Sequence, residues 1–265
     1  MTGTRRRLTG AFALAYVAGI YGFIFLPVAI LVLFSLQDGR FPIPPFNGPS
    51  LKWYGAVFSD GRLTAALGNS LVVALASSAV ATLLGFLAAY GLARYRLPAS
   101  RLQRALLTAP LTVSYLIIAL GLLITFNAAG IPKSLTAVGI GHVVINLPLC
   151  FAIIYSQMGA HQANIERAAR DLGAREWQVL SLVTAPILWP AIFAAYFLSV
   201  TFSWDEFIIA FLLSRFEVTL PVEIWSLLRS GLNPKTNAVG SVVFLISTAL
   251  ILALEFTVLR KGRRT

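Results

Sequence analysis

Apolar residues along this chain gather into six runs of about twenty or more, near 12–36, 67–93, 105–127, 135–157, 187–213 and 238–259. Each run, wound as a helix, is long enough to cross a hydrocarbon core of roughly 30 Å. Only helices and closed barrels satisfy their backbone inside lipid, and runs this long suit helices. Several runs carry punctuation at their ends. Asn69-Ser70 opens the second, Pro98 follows it, and Asn233-Pro234 precedes the sixth in an arrangement suited to starting a helix or a turn. The expected fold is therefore all-α: a polytopic membrane protein with six transmembrane helices and a single transmembrane domain over residues 1–265.

Two interruptions stand out. The stretch 37–66 carries Phe41-Pro42-Ile43-Pro44-Pro45, which cannot be helix, followed by Trp53 and Tyr54. That aromatic pair is expected to anchor a short helix at the membrane surface, mainly through packing. The second interruption, 160–186, is charged and amphipathic. Its apolar positions Ile165, Ala168, Ala169, Leu172, then Trp177, Leu180 and Val183 imply two short helices joined at Gly173, which can take the positive φ of a sharp turn. Pro186 sits at the start of the next span, where its missing N–H costs little. Ala168 and Ala169 would let another surface approach closely, with Glu166, Arg167, Arg170 and Asp171 offering ion pairs around that contact. By pattern alone the segment is either a docking handle or a loop resting on lipid head groups.

Composition narrows the class. The chain is 58% hydrophobic and 12% charged, against roughly 25% charged in a soluble domain. Its net charge of +11 does not point to nucleic acid, because the basic residues flank apolar runs and suit lipid head groups and topology signalling. Two thirds of the 21 basic residues fall in four clusters: Arg5–Arg7, Arg94 to Arg104, Arg167 to Arg175, and Arg260 to Arg264. The positive-inside rule puts those clusters, both termini and the 160–186 insert in the cytoplasm. The first apolar run is about 25 residues long and lacks a small-residue cleavage site, so it is expected to be a retained span. Cys150, alone in an apolar run, is expected to be a small core residue.

Polar residues inside spans are the candidates for handling a solute. Trp204, Asp205 and Glu206 fall in the outer half of the fifth span, where carboxylates are costly unless they face a cavity or a partner. On a continuous helix, side chains about 100° apart cannot both point the same way. One reading has one carboxylate attract an ammonium group, with Trp204 adding a cation–π face. The other has both pair with Arg215, Arg229 or polar groups near the outer interface. His142, Asn69 and Asn146 are expected to make interhelical hydrogen bonds, and Glu255 to snorkel toward the basic tail. The chain has no GxxxxGK[ST] phosphate loop, no metal-ligand spacing and no nucleophile–base constellation. It is expected not to be an enzyme and to bind neither cofactor nor metal.

The insert resembles the EAA motif of ATP-binding-cassette importer permeases: Glu-Ala-Ala, three residues, Gly, nine residues, then Ile-x-Leu-Pro. Aligned on Gly173, the alanine pair is Ala168-Ala169 and the closing proline is Pro186. Arg167 stands at the motif's Glu position, with Glu166 one residue earlier as the expected substitute, and the end reads Val183-Thr184-Ala185-Pro186. Lys52-Trp53-Tyr54, Arg94-Tyr95-Arg96, Phe202 to Glu206, Leu220 to Trp225 and Gly231-Leu232-Asn233-Pro234 further resemble the spermidine/putrescine permease branch, in order and spacing. The resemblance implies a type I importer permease fold in a bacterial inner membrane, with 160–186 as the coupling loop and Glu166, Arg167, Ala168, Ala169, Asp171, Gly173 and Pro186 contacting an ATPase. It also implies a second homologous permease, two cytoplasmic ATPase subunits that bind ATP and Mg, and a periplasmic solute-binding protein. Spermidine or putrescine is the implied cargo, with opines or other small polar metabolites as the alternative. A secondary transporter driven by an ion gradient is the rival from another class, and would show inverted repeats and broken helices near the midplane.

Overall fold

The computed structural model describes residues 2–231 and 233–262, with side chains from 12 to 252 apart from 232 and 250. The terminal arginine clusters, Leu232 and the Glu255 side chain, for which expectations were stated, lie outside the described side chains. Thirteen helices follow one another among the described residues: α1 (Thr2–Ser35), α2 (Lys52–Phe58), α3 (Gly61–Arg94), α4 (Ser100–Thr108), α5 (Tyr115–Ala128), α6 (Leu135–Ser156), α7 (Ala160–Asp171), α8 (Glu176–Gln178), α9 (Ala185–Ile187), α10 (Trp189–Trp204), α11 (Ile208–Leu213), α12 (Leu220–Ser230) and α13 (Pro234–Gly262). They contain no named strand. The described residues group into two compact units, one within 2–64 and 224–246 and the other within 65–223 and 247–262.

Helices over Phe12–Ser35, Gly61–Arg94 and Leu135–Ser156 are long and apolar enough to cross a membrane. Two further runs, expected as continuous spans, are broken. The run 105–127 is interrupted by a 3-10 turn at Ala109–Thr112, and the helical pieces Ser100–Thr112 and Tyr115–Ala128 meet at 107°. Pro110 lies in that turn and removes a backbone donor. The run 187–213 is preceded by a π-turn at Val179–Thr184 and bends by 73° between Glu176–Ile187 and Trp189–Trp204. Pro186 and Pro190 flank that bend. The same run ends at Trp204 and restarts at Ile208.

In the first unit, the segment after α1 folds around Gln37, which is 1% exposed. Its side-chain amide donates to the carbonyls of Ile43 and Pro45 at 3.3 and 3.1 Å and accepts from the Asn47 N–H at 3.0 Å. Trp53 Nε1 donates to the Gln37 carbonyl at 2.7 Å, and Tyr54 Oη meets Ser35 Oγ at 2.7 Å. The aromatic pair ties its polar tips to its own chain. Lys235 Nζ pairs with Asp60 Oδ2 at 2.6 Å, and this hydrogen bond holds the Asp60 carboxyl below its usual range.

The second unit has two buried clusters. One joins α5, α6 and α11 through Ala119, Phe126, Val138, Ile145, Ile209 and Leu213. The other joins α3, α6 and α10 through Phe86, Tyr90, Cys150, Phe151, Ile154 and Ala195. Helices α3 and α6 approach so closely that a Cβ at Gly85 would lie 2.8 Å from the Phe151 nitrogen and 2.9 Å from Cys150 Cβ. Small residues permit such contacts where lipid offers no hydrophobic drive for helix association. Cys150 is buried and free, in line with a core role.

Candidate functional site

The charged insert is built as α7, a turn, and α8 running on into the π-turn. The turn closes α7 by two reversed hydrogen bonds, from the Gly173 N–H to the Arg170 carbonyl at 2.9 Å and from the Ala174 N–H to the Ala169 carbonyl at 3.0 Å. This is the Schellman pattern, which needs a left-handed residue after the cap. Gly173 supplies it at φ 89°. The new helix then begins with the Gln178 Oε1 accepting from the Arg175 N–H at 2.8 Å.

One arginine–carboxylate fork joins the insert to the end of α3, and a second, within the insert, meets α3 through Tyr90. In the first, Arg94 donates from Nε to Glu166 Oε2 at 2.5 Å and from Nη2 to Glu166 Oε1 at 3.1 Å, and its Nη1 reaches the Met158 carbonyl at 3.3 Å. Glu166 is wholly buried. In the second, Arg170 donates to Glu176 from Nε at 2.8 Å and from Nη2 at 3.1 Å. Tyr90 and Tyr95 hydroxyls donate to the same carboxylate at 3.2 and 3.3 Å, and Arg170 Nη2 also reaches Tyr90 Oη at 3.1 Å. The Arg170 guanidinium holds the Glu176 carboxyl below the usual carboxylate range.

The candidate coupling residues differ in their exposure. Glu166 was expected on the docking face, standing in for the motif carboxylate. It is buried in this structure and paired with Arg94. Arg167 is exposed and lies back along its own helix, donating to the Ala163 carbonyl at 3.4 Å and to the Asn164 side chain. Asp171, Gly173 and Pro186 are exposed, Ala168 is exposed and Ala169 half-buried. The outer surface of the insert is apolar at its most prominent points: Leu172 is 89% exposed, Trp177 61% and Leu182 66%. Sequence reasoning used Arg94 for topology and for the family resemblance, and missed its pairing with Glu166. An arginine at a helix end and a glutamate in an amphipathic insert were visible signals, but nothing local joins them.

The second candidate group, Trp204, Asp205 and Glu206, falls at the break between α10 and α11. Asp205 caps the end of α10 and is exposed, while Trp204 and Glu206 are buried. Glu206 accepts from the backbone N–H groups of Ile208, Ile209 and Ala210 at 2.9 to 3.2 Å. Its Oε2 also lies 3.4 Å from His142 Nε2. Glu206 thus finds its polar partners in the backbone donors of the break rather than in Arg215 or Arg229, since the unwound backbone presents free donors that a continuous helix would not. His142 Nδ1 meets Ser203 Oγ at 2.6 Å, Ser203 meets Ser77 at 3.2 Å, and Ser199 donates to Ser78 at 2.9 Å. These contacts make a polar seam across α3, α6 and α10. Asn69 donates to the Val218 carbonyl at 3.0 Å. Asn146 departs from expectation, because its Nδ2 is buried with no hydrogen-bond partner among the described residues, as are His142 Nε2 and Trp204 Nε1.

The sequence pattern of a family described as binding-protein-dependent transport system inner membrane component matches residues 81–261. The chain is 30% identical over 250 residues to the spermidine/putrescine transport system permease protein PotC of Escherichia coli (strain K12), covering 94% of this chain and 92% of PotC. It is 31% identical over 231 residues to the putrescine transport system permease protein PotI of the same organism, covering 84% and 82%. In structure it is similar to a bacterial alginate ABC transporter in complex with an alginate pentasaccharide-bound periplasmic protein. The TM-score is 0.71 at 16% identity, with 95% of this chain and 93% of the other covered; that likeness speaks to the fold.

Proposed function

This chain belongs to the family of binding-protein-dependent transport system inner membrane components, as a permease subunit of an ABC importer, and on that footing we propose that it moves a polyamine. In this reading spermidine or putrescine crosses the bacterial inner membrane through a path the chain forms with a second, homologous permease. Six spans cross the bilayer, with the two broken runs each counted as one span and α13 as the sixth. The termini and the 160–186 insert face the cytoplasm, in keeping with the arginine clusters around them. Two ATPase subunits carry ATP and Mg on their own phosphate loops, and a periplasmic binding protein delivers the cargo. Kinship to PotC and PotI supports the polyamine, and the same machine carrying an opine or another small polar metabolite is the alternative.

The observation that carries the coupling role is the position of Leu172. It stands 89% exposed at the end of α7, on a backbone locked by the turn at Gly173 and flanked by Arg167 and Asp171. An apolar tip beside charged side chains suits burial in a partner's cleft, with ion pairs at its rim. ATP-driven closure of the ATPase pair would displace that tip, and the membrane helices would exchange between two states biased by nucleotide and by loaded binding protein.

A carrier driven by an ion gradient would also use broken helices and a buried titratable pair, and both occur here at the two bends and at His142–Glu206. Reconstitution in proteoliposomes separates the two. Labelled putrescine uptake should require ATP, the ATPase subunits and the binding protein together. Uptake driven by a proton gradient with no ATPase present would overturn the proposal.

A further inference from the structure

The two forks form a ladder. Tyr90 and Arg94 are one helical turn apart on α3, and Glu166 and Arg170 are one turn apart on α7, so each pair lies on one face of its helix. Arg94 meets Glu166, while Tyr90 meets Arg170 and its partner Glu176. The rungs run in opposite sequence order on the two helices, so α7 lies antiparallel to the last turn of α3. One rung alone would act as a pivot; two resist rotation as well as sliding. Arg94 also holds the Met158 carbonyl, so a single guanidinium ties the end of α3, the link between α6 and α7, and α7 itself. The planar fork of arginine is what permits three such bonds from one side chain. Glu166 is fully buried and the Arg94 side chain is 10% exposed, so solvent ions screen the pair little.

We infer that the Arg94–Glu166 fork makes α7 and the end of α3 one rigid lever, with both residues positioning the insert so that a push on it moves α3. The inference rests on the proposed coupling role of the insert. Without the fork, displacement of Leu172 would be absorbed by the short link at 157–159. With it, the displacement reaches a helix long enough to span the bilayer, to which the insert has no direct covalent connection.

The test compares cargo moved per ATP hydrolysed in the full reconstituted complex for the unsubstituted chain, Arg94→Lys, and the double variant Arg94→Met with Glu166→Met. Arg94→Lys keeps the charge and loses the fork. The double variant removes both charges together, which buried pairs tolerate far better than loss of one partner. The expected result is an assembled complex in which the ratio falls on the order of tenfold in both variants. A purely structural pair would alter assembly or thermal stability and leave the ratio unchanged. A wild-type ratio in either assembled variant overturns the inference. Failure of both to assemble assigns the pair to folding and overturns it too. An unsubstituted complex with no ATP-driven uptake would instead remove the underlying coupling reading, and this inference with it.

Discussion

Arg170 and Glu176 face each other across Gly173, bonded at 2.8 and 3.1 Å. The fork closes over a glycine at φ 89°, so side-chain and backbone chemistry impose the same turn. That agreement makes the insert a stiff feature.

Replacing Gly173 by valine should strain the turn although a Cβ there meets nothing within 4 Å. The cost of left-handed backbone for a branched residue is about 1–2 kcal/mol. Insertion into the membrane should be unaffected, while uptake per ATP hydrolysed falls. Gly173→Asn should do less harm, because asparagine tolerates this region. The measurement is coupled ATPase and uptake in proteoliposomes, and equal uptake for valine and glycine would contradict the turn's role.

The Glu176 carboxyl is held below its usual range by Arg170. A depressed folded-state value means its stabilisation is present above the unfolded value, about 4.3, and is lost as pH falls through the folded value. Amide exchange over residues 170–178, followed from neutral to acid pH in the assembled complex, should show protection that fades only at the acid end. Glu176→Gln should exchange faster at neutral pH as well. Protection that stays flat in the glutamine variant would show that the turn stands without the fork.

Glu206 and Asp205 should separate in their effects. Removing the buried cap with Glu206→Ala leaves several backbone donors unsatisfied, a loss of about 1–3 kcal/mol, seen as a lower thermal midpoint with little change in KM for cargo. Asp205 is exposed, so Asp205→Asn should leave the midpoint alone and raise KM for a cationic cargo. The reverse pattern would move the cargo role to Glu206.

Gly85→Leu should drive α3 and α6 apart, since even a Cβ would fall 2.8 Å from backbone. Overpacking of this kind costs about 1–3 kcal/mol. Thermal unfolding in detergent should report it, and an unchanged midpoint would mean that the two helices separate freely.

Several features of this chain follow from one-dimensional physics. Apolar run length against bilayer thickness gave the helical membrane class, proline placement marked the non-helical segment after α1, and the Ala168-Ala169 to Gly173 spacing specified a helix followed by a sharp turn. These depend on neighbours a few residues apart. Tertiary structure alone decided which way the charges face. Glu166 turns inward to an arginine 72 positions away, and Glu206 turns to amides freed by a helix break rather than to an arginine. The breaks themselves were hidden in continuous apolar runs, because hydropathy does not register whether a backbone bends. A charged side chain in an apolar setting settles wherever complementary groups converge, and that convergence exists only once distant helices have packed.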